Sequence, residues 1–426
     1  VNVGEAGACP EPVERVPRLS SSYTEALAWL YGTQRFGIKL GLENVQRLFQ
    51  ELELPAQEHR VIHVAGTNGK GSVCAMIDAI CRAQGYRTGL FTSPHLVTYR
   101  ERIRVDGEMI TEEEVSAGLA AIRELTNDWE PHPTFFEITT ALGLIHFKKH
   151  RCEVVVLETG LGGRLDATNA VTPLVSVITP IGYDHQSWLG NTLEEIAAEK
   201  AGIIKARVPV VSAAQEPAAA KVIRARAVEC EARLEIVNES YTRTPLALAG
   251  AHQKQNAAVA IASLRAGEIM VDASAIARGL ANVHWPARFQ SWNERTFIDG
   301  AHNPAGASIL AKTWQEQFGQ ERATIVLAVL DDKDAAGILR ALAPIAQQII
   351  LPLIRTERAF DPQKLAKIGE QVCPELLISI SSSLGDALHQ AQSQPTRILV
   401  TGSLHFAGEA LATLGGDTAA FEECAQ

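Results

Sequence analysis

Short apolar runs alternate with segments of helical period along most of this chain. Val61–Ala65 is apolar apart from His63 and rich in β-branched residues, which predicts a buried strand. Gly66-Thr67-Asn68-Gly69-Lys70-Gly71-Ser72 then breaks the run. Val73, Met76, Ile77 and Ile80 follow at helical spacing on one face. Thr88–Thr92 reads as a second strand, and Glu101–Val105 alternates before Asp106-Gly107, a hairpin signal. Thr111 and Glu114 form a capping box. Thr134-Phe135-Phe136-Glu137 closes a loop before a helix that reaches about Lys149. Cys152–Leu157 reads as a strand, apolar apart from Glu153, with the unbroken run Val154–Leu157 that a central parallel strand buried on both faces should have. Val175–Thr179 and Val208–Val211 read as further strands, around a helix capped by Thr192 and Glu195 that runs through Lys200. This alternation predicts right-handed βαβ units in a doubly wound sheet, with ligands gathered beyond the carboxyl ends of the strands.

Ahead of this region, Tyr23–Tyr31 and the segment through Val45, Leu48 and Phe49 read as helices. Glycine-broken Phe36–Gly41 separates them, and Pro55 ends the second. Residues 1–18, with Pro10, Pro12 and Pro17, read as a flexible lead-in. Downstream, His252–Leu264 reads as a helix and Trp285-Pro286 as a loop. A second α/β pattern then begins with the strand Thr296–Asp299, the loop Gly300-Ala301-His302-Asn303-Pro304 and a helix. Thr324–Val329, Ile349–Leu351 and Arg397–Thr401 continue it as strands. The expected division is a domain over 19–290 and a smaller one over 291–426.

With 426 residues, 46% hydrophobic and 21% charged, the chain reads as a soluble two-domain protein. A net charge of -10 argues against nonspecific nucleic-acid binding. The seven cysteines are scattered without a C-x-x-C pair, which suggests reduced thiols in place of a disulfide framework or a zinc site. Neither a signal peptide nor a membrane-length apolar run is evident, so the cytoplasm is expected and no membrane partner.

The break after Val61–Ala65 has the build of a phosphate cradle. Glycines let backbone N–H groups approach phosphate oxygens, the helix N-terminus adds a positive end, and Lys70 supplies a compact charge. Gly71 separates Lys70 from the hydroxyl of Ser72, so the match is to a variant of the P-loop. Glu158, at the mouth of a buried strand, is placed either to ligate Mg²⁺ near phosphates or to form a salt bridge. His185 closes the neighbouring strand, as a structural histidine or a ligand. Lys200 shares the apolar face of Leu193, Ile196, Ala197, Ile203 and Ile204. It either needs a partner or a modification, or snorkels to water. Asp299-Gly300-Ala301-His302-Asn303-Pro304 is a turn with a helix-initiating proline or part of an interdomain site, within reach of Arg288.

His63–Ser72 resembles the ATP loop of the folylpolyglutamate synthase family, within the Mur ligase superfamily. Thr92–Leu96, Leu157–Asn169, Asp184-His185, Ala198–Ile203, Asp299–Pro304 and Thr401–Phe406 resemble further motifs of that family, in family order. The resemblance implies an α/β protein: a P-loop-containing, doubly wound ATPase domain followed by a smaller Rossmann-like domain. It implies ATP contacts at Thr67, Asn68, Gly69, Lys70, Gly71, Ser72, Asn256, Arg288 and Asp299, with His302 nearby. Ser93 and Glu158 would hold one Mg²⁺ and His185 would help hold a second. Lys200 would be carbamylated, which accounts for its apolar-face position. Lys70, His185 and Lys200 would be the catalytic set. Ile38, Thr134, Phe136, Asp166 and Ala167 match the pterin-side pocket of bifunctional members. His405 departs from the family pattern, where an aromatic such as tyrosine is expected.

The implied reaction is ATP-dependent amide ligation through an acyl phosphate. It would join L-glutamate to dihydropteroate and to the glutamate tails of reduced folates, in a protein expected to be a monomer. A monofunctional folylpolyglutamate synthase would carry nearly all of these motifs. A Mur enzyme acting on a cell-wall precursor usually has an N-terminal nucleotide-sugar domain, and here only about sixty residues precede the loop. A nucleotide-binding switch is the alternative from outside the ligases.

Overall fold

The computed structural model describes residues 21–36, 41–54 and 60–423. Ile38, Pro55 and the 1–18 lead-in lie outside the described residues. Two sheets organise the described residues. The first has eight strands: β1 (Arg60–Ala65), β2 (Thr88–Phe91), β3 (Ile103–Val105), β4 (Glu108–Met109), β5 (Val154–Glu158), β6 (Val175–Ile178), β7 (Val210–Ala213) and β8 (Leu234–Val237), in the order β4-β3-β2-β5-β1-β6-β7-β8. Pairing is parallel from β2 through β8, while β3 and β4 add an antiparallel edge.

The six-stranded second sheet comprises β9 (Gln290–Ser291), β10 (Thr296–Ile298), β11 (Ala323–Leu327), β12 (Ala346–Pro352), β13 (Leu377–Ser381) and β14 (Ile398–Thr401), in the order β13-β12-β11-β14-β10-β9. Only β9 is antiparallel to its neighbour.

Side chains two apart on a strand share a face, and the cores follow that rule. Val155 and Leu157 of β5 pack with Ile138, Leu142 and Phe147 of the helix Phe135–Lys149. Val154 and Val156 point the other way, toward Val73, Met76 and Ile77 of the helix Lys70–Gln84. All four strand residues are fully buried, each side chain stabilising the fold by about 1.5–3 kcal/mol. The first helix after β1 was expected to bury one stripe. It buries Gly71 through Cys81 without interruption, because the helices Ala251–Ala266 and Ala273–Asn282 cover its remaining surface.

Several boundaries differ from the sequence expectation. Glu101 and Arg102 are in a 3₁₀ turn, not a strand, because the Glu101 carboxylate accepts from the N–H groups of Leu96, Val97 and Thr98. Thr134 is an N-cap and Phe135 to Glu137 form the first helical turn, since Thr134 and Glu137 make a capping box. The helix bearing Lys200 ends at Ala201, so Ile203 and Ile204 are buried beyond it. Strand β7 lies two residues later than expected, and β5 starts at Val154, not Cys152. The helices Pro217–Glu229 and Ala273–Asn282 and strands β8 and β13 were not anticipated.

The second sheet's core reaches into the first region. Leu96 packs with Ala287 and Phe406, and a Cβ on Gly408 would lie 1.9 Å from the Leu96 carbonyl oxygen. Near the other end of the chain, Glu422 accepts from Tyr99 N–H at 2.6 Å and from Tyr23 and Thr98 hydroxyls at 3.3 Å. Among the described residues no helix is long and apolar enough to cross a membrane, and all five cysteines there are free thiols.

Candidate active site

Strand register aligns the three loops that matter. Val64 of β1 pairs with Glu158 of β5, and Ala65 pairs with Ile178 of β6. The ladder closes with Thr159 N–H to Val64 O at 2.9 Å and Thr179 N–H to Ala65 O at 2.8 Å. Gly66, Glu158 and the segment from Thr179 to His185 therefore leave the sheet side by side, at the carboxyl ends where open α/β sheets bind ligands.

The glycine loop is held from two sides. Thr67 and Asn68 N–H groups donate to Pro180 O at 3.0 and 3.1 Å, and Thr67 Oγ1 donates to Gly182 O at 3.1 Å. These two N–H groups thus secure the loop to the end of β6. Val73 N–H donates to Gly69 O, which leaves the N–H groups of Lys70, Gly71 and Ser72 ahead of it at the helix's open end. Gly69 has φ +88, and a Cβ there would stand 2.8 Å from Asn256 Oδ1. A side chain is excluded by backbone conformation and by the approach of Asn256. Gln253 Nε2 donates to Ser72 Oγ at 3.4 Å and Asn256 Nδ2 to Gln253 Oε1 at 3.0 Å, so the helix Ala251–Ala266 lines the loop.

Two lysines converge on one carbonyl. Lys70 Nζ donates to Gly66 O at 3.2 Å and Lys200 Nζ to the same oxygen at 2.8 Å. Their nitrogens are no further apart than the sum of those distances. Lys200 is buried, not snorkelling, and desolvation, with Lys70 as the next cause, pulls its amine from 10.5 to about 7. Glu158 is buried beside them. Ser93 N–H donates to its Oε2 at 3.2 Å. Burial pushes this carboxyl upward, against the pull of Lys70, Ser93 and Arg288. Glu158, Ser93, Gly71, Trp285, Arg288 and Leu404 line one small cavity, which both sheet regions contribute to.

Asp184 is the hub across the cleft. Lys333 Nζ lies 2.8 Å from its Oδ1, and His302 Nε2 and Asn303 Nδ2 each lie 3.3 Å from Oδ2. Asn303 Nδ2 also donates to Asn68 Oδ1 at 3.2 Å, tying the second region to the glycine loop. Asp184 is held far below the ordinary carboxylate range: burial alone would raise it, and His302, His185 and Lys333 outweigh that. His185, in a left-handed conformation with φ +50, has Nε2 4.0 Å from Asp184 Oδ1. Desolvation, with the Lys333 and Lys70 charges, lowers its imidazole to about 4, so it is neutral at pH 7 and free to donate a lone pair.

Other expected residues are engaged structurally. The Asp299 carboxylate accepts from Phe289 and Ala301 N–H groups at 2.8 Å, so it shapes the backbone around Arg288. Asp166 accepts from Gly160 and Leu161 N–H at 2.8 and 2.9 Å and from Thr168 N–H and hydroxyl, which closes the glycine-rich turn on itself. Ala167 is buried behind it. Phe136 stacks edge-on against Phe91, with ring centroids 5.9 Å apart, and a Cβ on Gly160 would lie 2.6 Å from its ring. Thr134 caps the same helix, and Phe136 packs against Gly160 of the turn that Asp166 closes, so these residues gather beyond β5.

Asp184 as hub and Lys333 as its partner were missed. Asp184 stands in the sequence as a strand-end residue beside His185 and as part of the Asp184-His185 motif, with no partner indicated, and Lys333 sits in Asp331-Asp332-Lys333-Asp334, a charged run with no pattern that marks it.

A doubly wound phosphate-loop sheet facing a second parallel sheet across a polar cleft defines a Mur-type ligase. Residues 64–227 match the Mur ligase middle domain, and residues 287–404 match the Mur ligase, glutamate ligase domain. The dihydrofolate synthase/folylpolyglutamate synthase of Bacillus subtilis is 35% identical, over 91% of this chain and 97% of its own. A bifunctional folylpolyglutamate synthase/dihydrofolate synthase from Yersinia pestis, solved with AMPPNP and Mn ion, superposes with TM-score 0.84 and 32% identity, covering 94% of this chain and 100% of that one. The E. coli FolC in complex with DHPP and ADP gives TM-score 0.84 and 32% identity, covering 94% and 99% of the two chains. The chain belongs to the dihydrofolate synthase/folylpolyglutamate synthase family.

Proposed function

We propose that this protein joins L-glutamate to dihydropteroate and to the glutamate tails of reduced folates, coupling each amide bond to cleavage of ATP. The observation that carries the reading is the convergence of the glycine loop, Glu158 and Lys200 at aligned strand ends. They face His302 and Asn303 of the region that matches a glutamate ligase domain. The full-length match to relatives with those two activities supports it.

Lys70 and the helix N-terminus hold the outer phosphates of ATP, with Asn256 and Arg288 flanking the nucleotide. A substrate carboxylate oxygen attacks the γ-phosphorus, ADP leaves, and an acyl phosphate forms. The α-amine of glutamate then attacks the acyl carbon. Phosphate departs and the amine loses a proton. Lys70 offsets negative charge that builds on the transferring phosphoryl group. Asp184, through Lys333, His302 and Asn303, keeps the second region over the site and water away from the acyl phosphate. Thr134, Phe136, Asp166 and Ala167 shape the pterin side, and Ile38 is proposed to join them.

The donor set fits Mg²⁺: Glu158 is a buried carboxylate beside Ser93, and His185 offers a neutral nitrogen across the loop. Bound there, Mg²⁺ would neutralise phosphate charge and orient the γ-phosphate for in-line attack. Carbamylation of Lys200 fits the two-lysine arrangement, since it replaces a competing cation beside Lys70 with an anion.

The domains are proposed as 19–290 and 291–426, the chain as a monomer, and the cytoplasm as its location, which suits its free thiols. Glutamate-dependent ADP release with Mg²⁺ tests the function, using dihydropteroate and tetrahydrofolate in parallel. Release with both is expected. Release with tetrahydrofolate alone would reduce the reading to a folylpolyglutamate synthase, and silence with both would overturn it.

A further inference from the structure

A second group of metal-type ligands stands away from the ATP site, where two helices of the first region meet. The helix Phe135–Lys149 presents His146 in its last turn and His150 as its C-cap, one helical turn apart on one face. The helix Glu112–Thr126 presents Glu114 opposite them. His150 Nε2 lies 2.9 Å from Glu114 Oε1, and His146 Nδ1 lies 3.8 Å from Glu114 Oε2. The two imidazole centroids are 4.3 Å apart. One ligand atom from each residue can be chosen so that all three lie within 4.8 Å of one another.

We propose that Glu114, His146 and His150 form a divalent transition-metal site, best suited to Zn²⁺, that clamps these two helices together. Tetrahedral zinc with bonds of about 2.0–2.2 Å needs ligand atoms roughly 3.3–3.6 Å apart, so shifts of about 1 Å bring the three into place. Two nitrogens and one carboxylate oxygen suit a borderline ion and not Mg²⁺. The fourth position is left to water, since the His150 and Glu114 side chains are 30% and 19% exposed.

The protonation states agree with this assignment. Desolvation lowers buried His146 to about 4, which keeps it a neutral donor. Glu114 is lowered to about 2 by Lys149, His150 and His146, against a desolvation effect that alone would raise it. The Glu114 carboxylate is also preset by its capping box with Thr111. Lys149 Nζ, 2.8 Å from Glu114 Oε1, competes for that oxygen, but its side chain is 62% exposed and can return to water at little cost.

The test is titration of the metal-free, full-length protein with Zn²⁺ by calorimetry, with thermal unfolding in parallel. Wild type is expected to bind one more equivalent of Zn²⁺ than His150→Ala, or to bind it at least tenfold more tightly. Zinc is expected to raise the melting temperature of wild type and not of the variant. Lys149→Ala, an exposed change that leaves all three ligands, is expected to bind Zn²⁺ several-fold more tightly than wild type. Equal stoichiometry and affinity in wild type and His150→Ala, or no tightening in Lys149→Ala, would overturn the proposal. Neither residue is in the ATP site, so glutamate-dependent ADP release with Mg²⁺ reports separately on the ligase reading.

Discussion

Lys200 offers a quantitative test of the site. Its amine titrates at about 7 in the folded protein, against an ordinary 10.5. At pH 8 an amine titrating at about 7 is about 90% neutral, whereas an ordinary lysine is about 0.3% neutral. The fold therefore raises the reactive form by roughly two orders of magnitude at a lysine whose protonated form would conflict with Lys70 over the Gly66 carbonyl. Only the neutral amine attacks CO₂. The product is an anion, which removes that conflict. Gel filtration of the enzyme at mildly acidic pH, in buffer freed of CO₂, should lower ADP release at least tenfold. Bicarbonate at pH 8 should restore it. A ¹³C-bicarbonate sample should show one carbamate carbonyl signal, absent in Lys200→Ala. A short carboxylic acid such as acetate should partly rescue Lys200→Ala by supplying the missing negative charge. Full activity in CO₂-free buffer together with no carbamate signal would refute the reasoning and leave Lys200 as a neutral amine bonded to Gly66.

Lys70→Ala is expected to reduce turnover at least 100-fold, with circular dichroism unchanged; normal ADP release in that variant would sink the loop assignment. Gly69→Ala forces a side chain into φ +88 and to within 2.8 Å of Asn256 Oδ1. About 1–2 kcal/mol of strain should appear as a raised KM for ATP, and an unchanged KM would mean the loop adapts freely. Asp184→Asn leaves Lys333 with Asp332, 3.1 Å away, as its remaining acid, so urea unfolding at pH 7 should show a loss of about 2–4 kcal/mol. Asp184 titrates lower in the fold than in the open chain. The wild-type advantage is thus full above the unfolded value of about 3.9, and it shrinks as the pH falls from there toward the folded value.

What sequence carried, and what it did not, divides along the range of the interactions involved. Strands β1, β5 and β6 were legible because burial on both faces demands runs dominated by Val, Ile and Leu, interrupted only by His63 in β1 and Ser176 in β6, and that demand is written locally. The capping boxes at Thr111 and Thr192 were legible because both partners lie within three residues. The same signal exists at Thr134 and Glu137, but Pro131 and Pro133 just ahead of it give the segment the look of a loop and mask the helix start. Strand β13 was illegible for a different reason. Leu377 and Ile380 are 67% and 49% exposed, so this edge strand lacks the apolar run that marks a central one.

The site divides along the same line. Residues at strand ends could be found one at a time, because a polar group directly after a buried strand has few structural reasons to be there. Which of them act together could not. Asp184 meets Lys333 across 149 positions of chain and His302 across 118, and no local pattern encodes such a pairing. Yet this hub does what the chemistry most requires of the fold. Asp184 follows the strand that secures the glycine loop, and its partners come from the glutamate-ligase region. The same Asn303 amide that approaches Asp184 also donates to Asn68 in the loop. Any movement of the second region that lengthens these bonds removes charge partners from a buried carboxylate and disturbs the loop at the same time. One side chain, Asn303, thus joins the second region both to Asp184 and to the glycine loop. For this reason Asp184→Asn is expected to lower kcat as well as stability, although Asp184 makes none of the phosphate contacts proposed for Lys70.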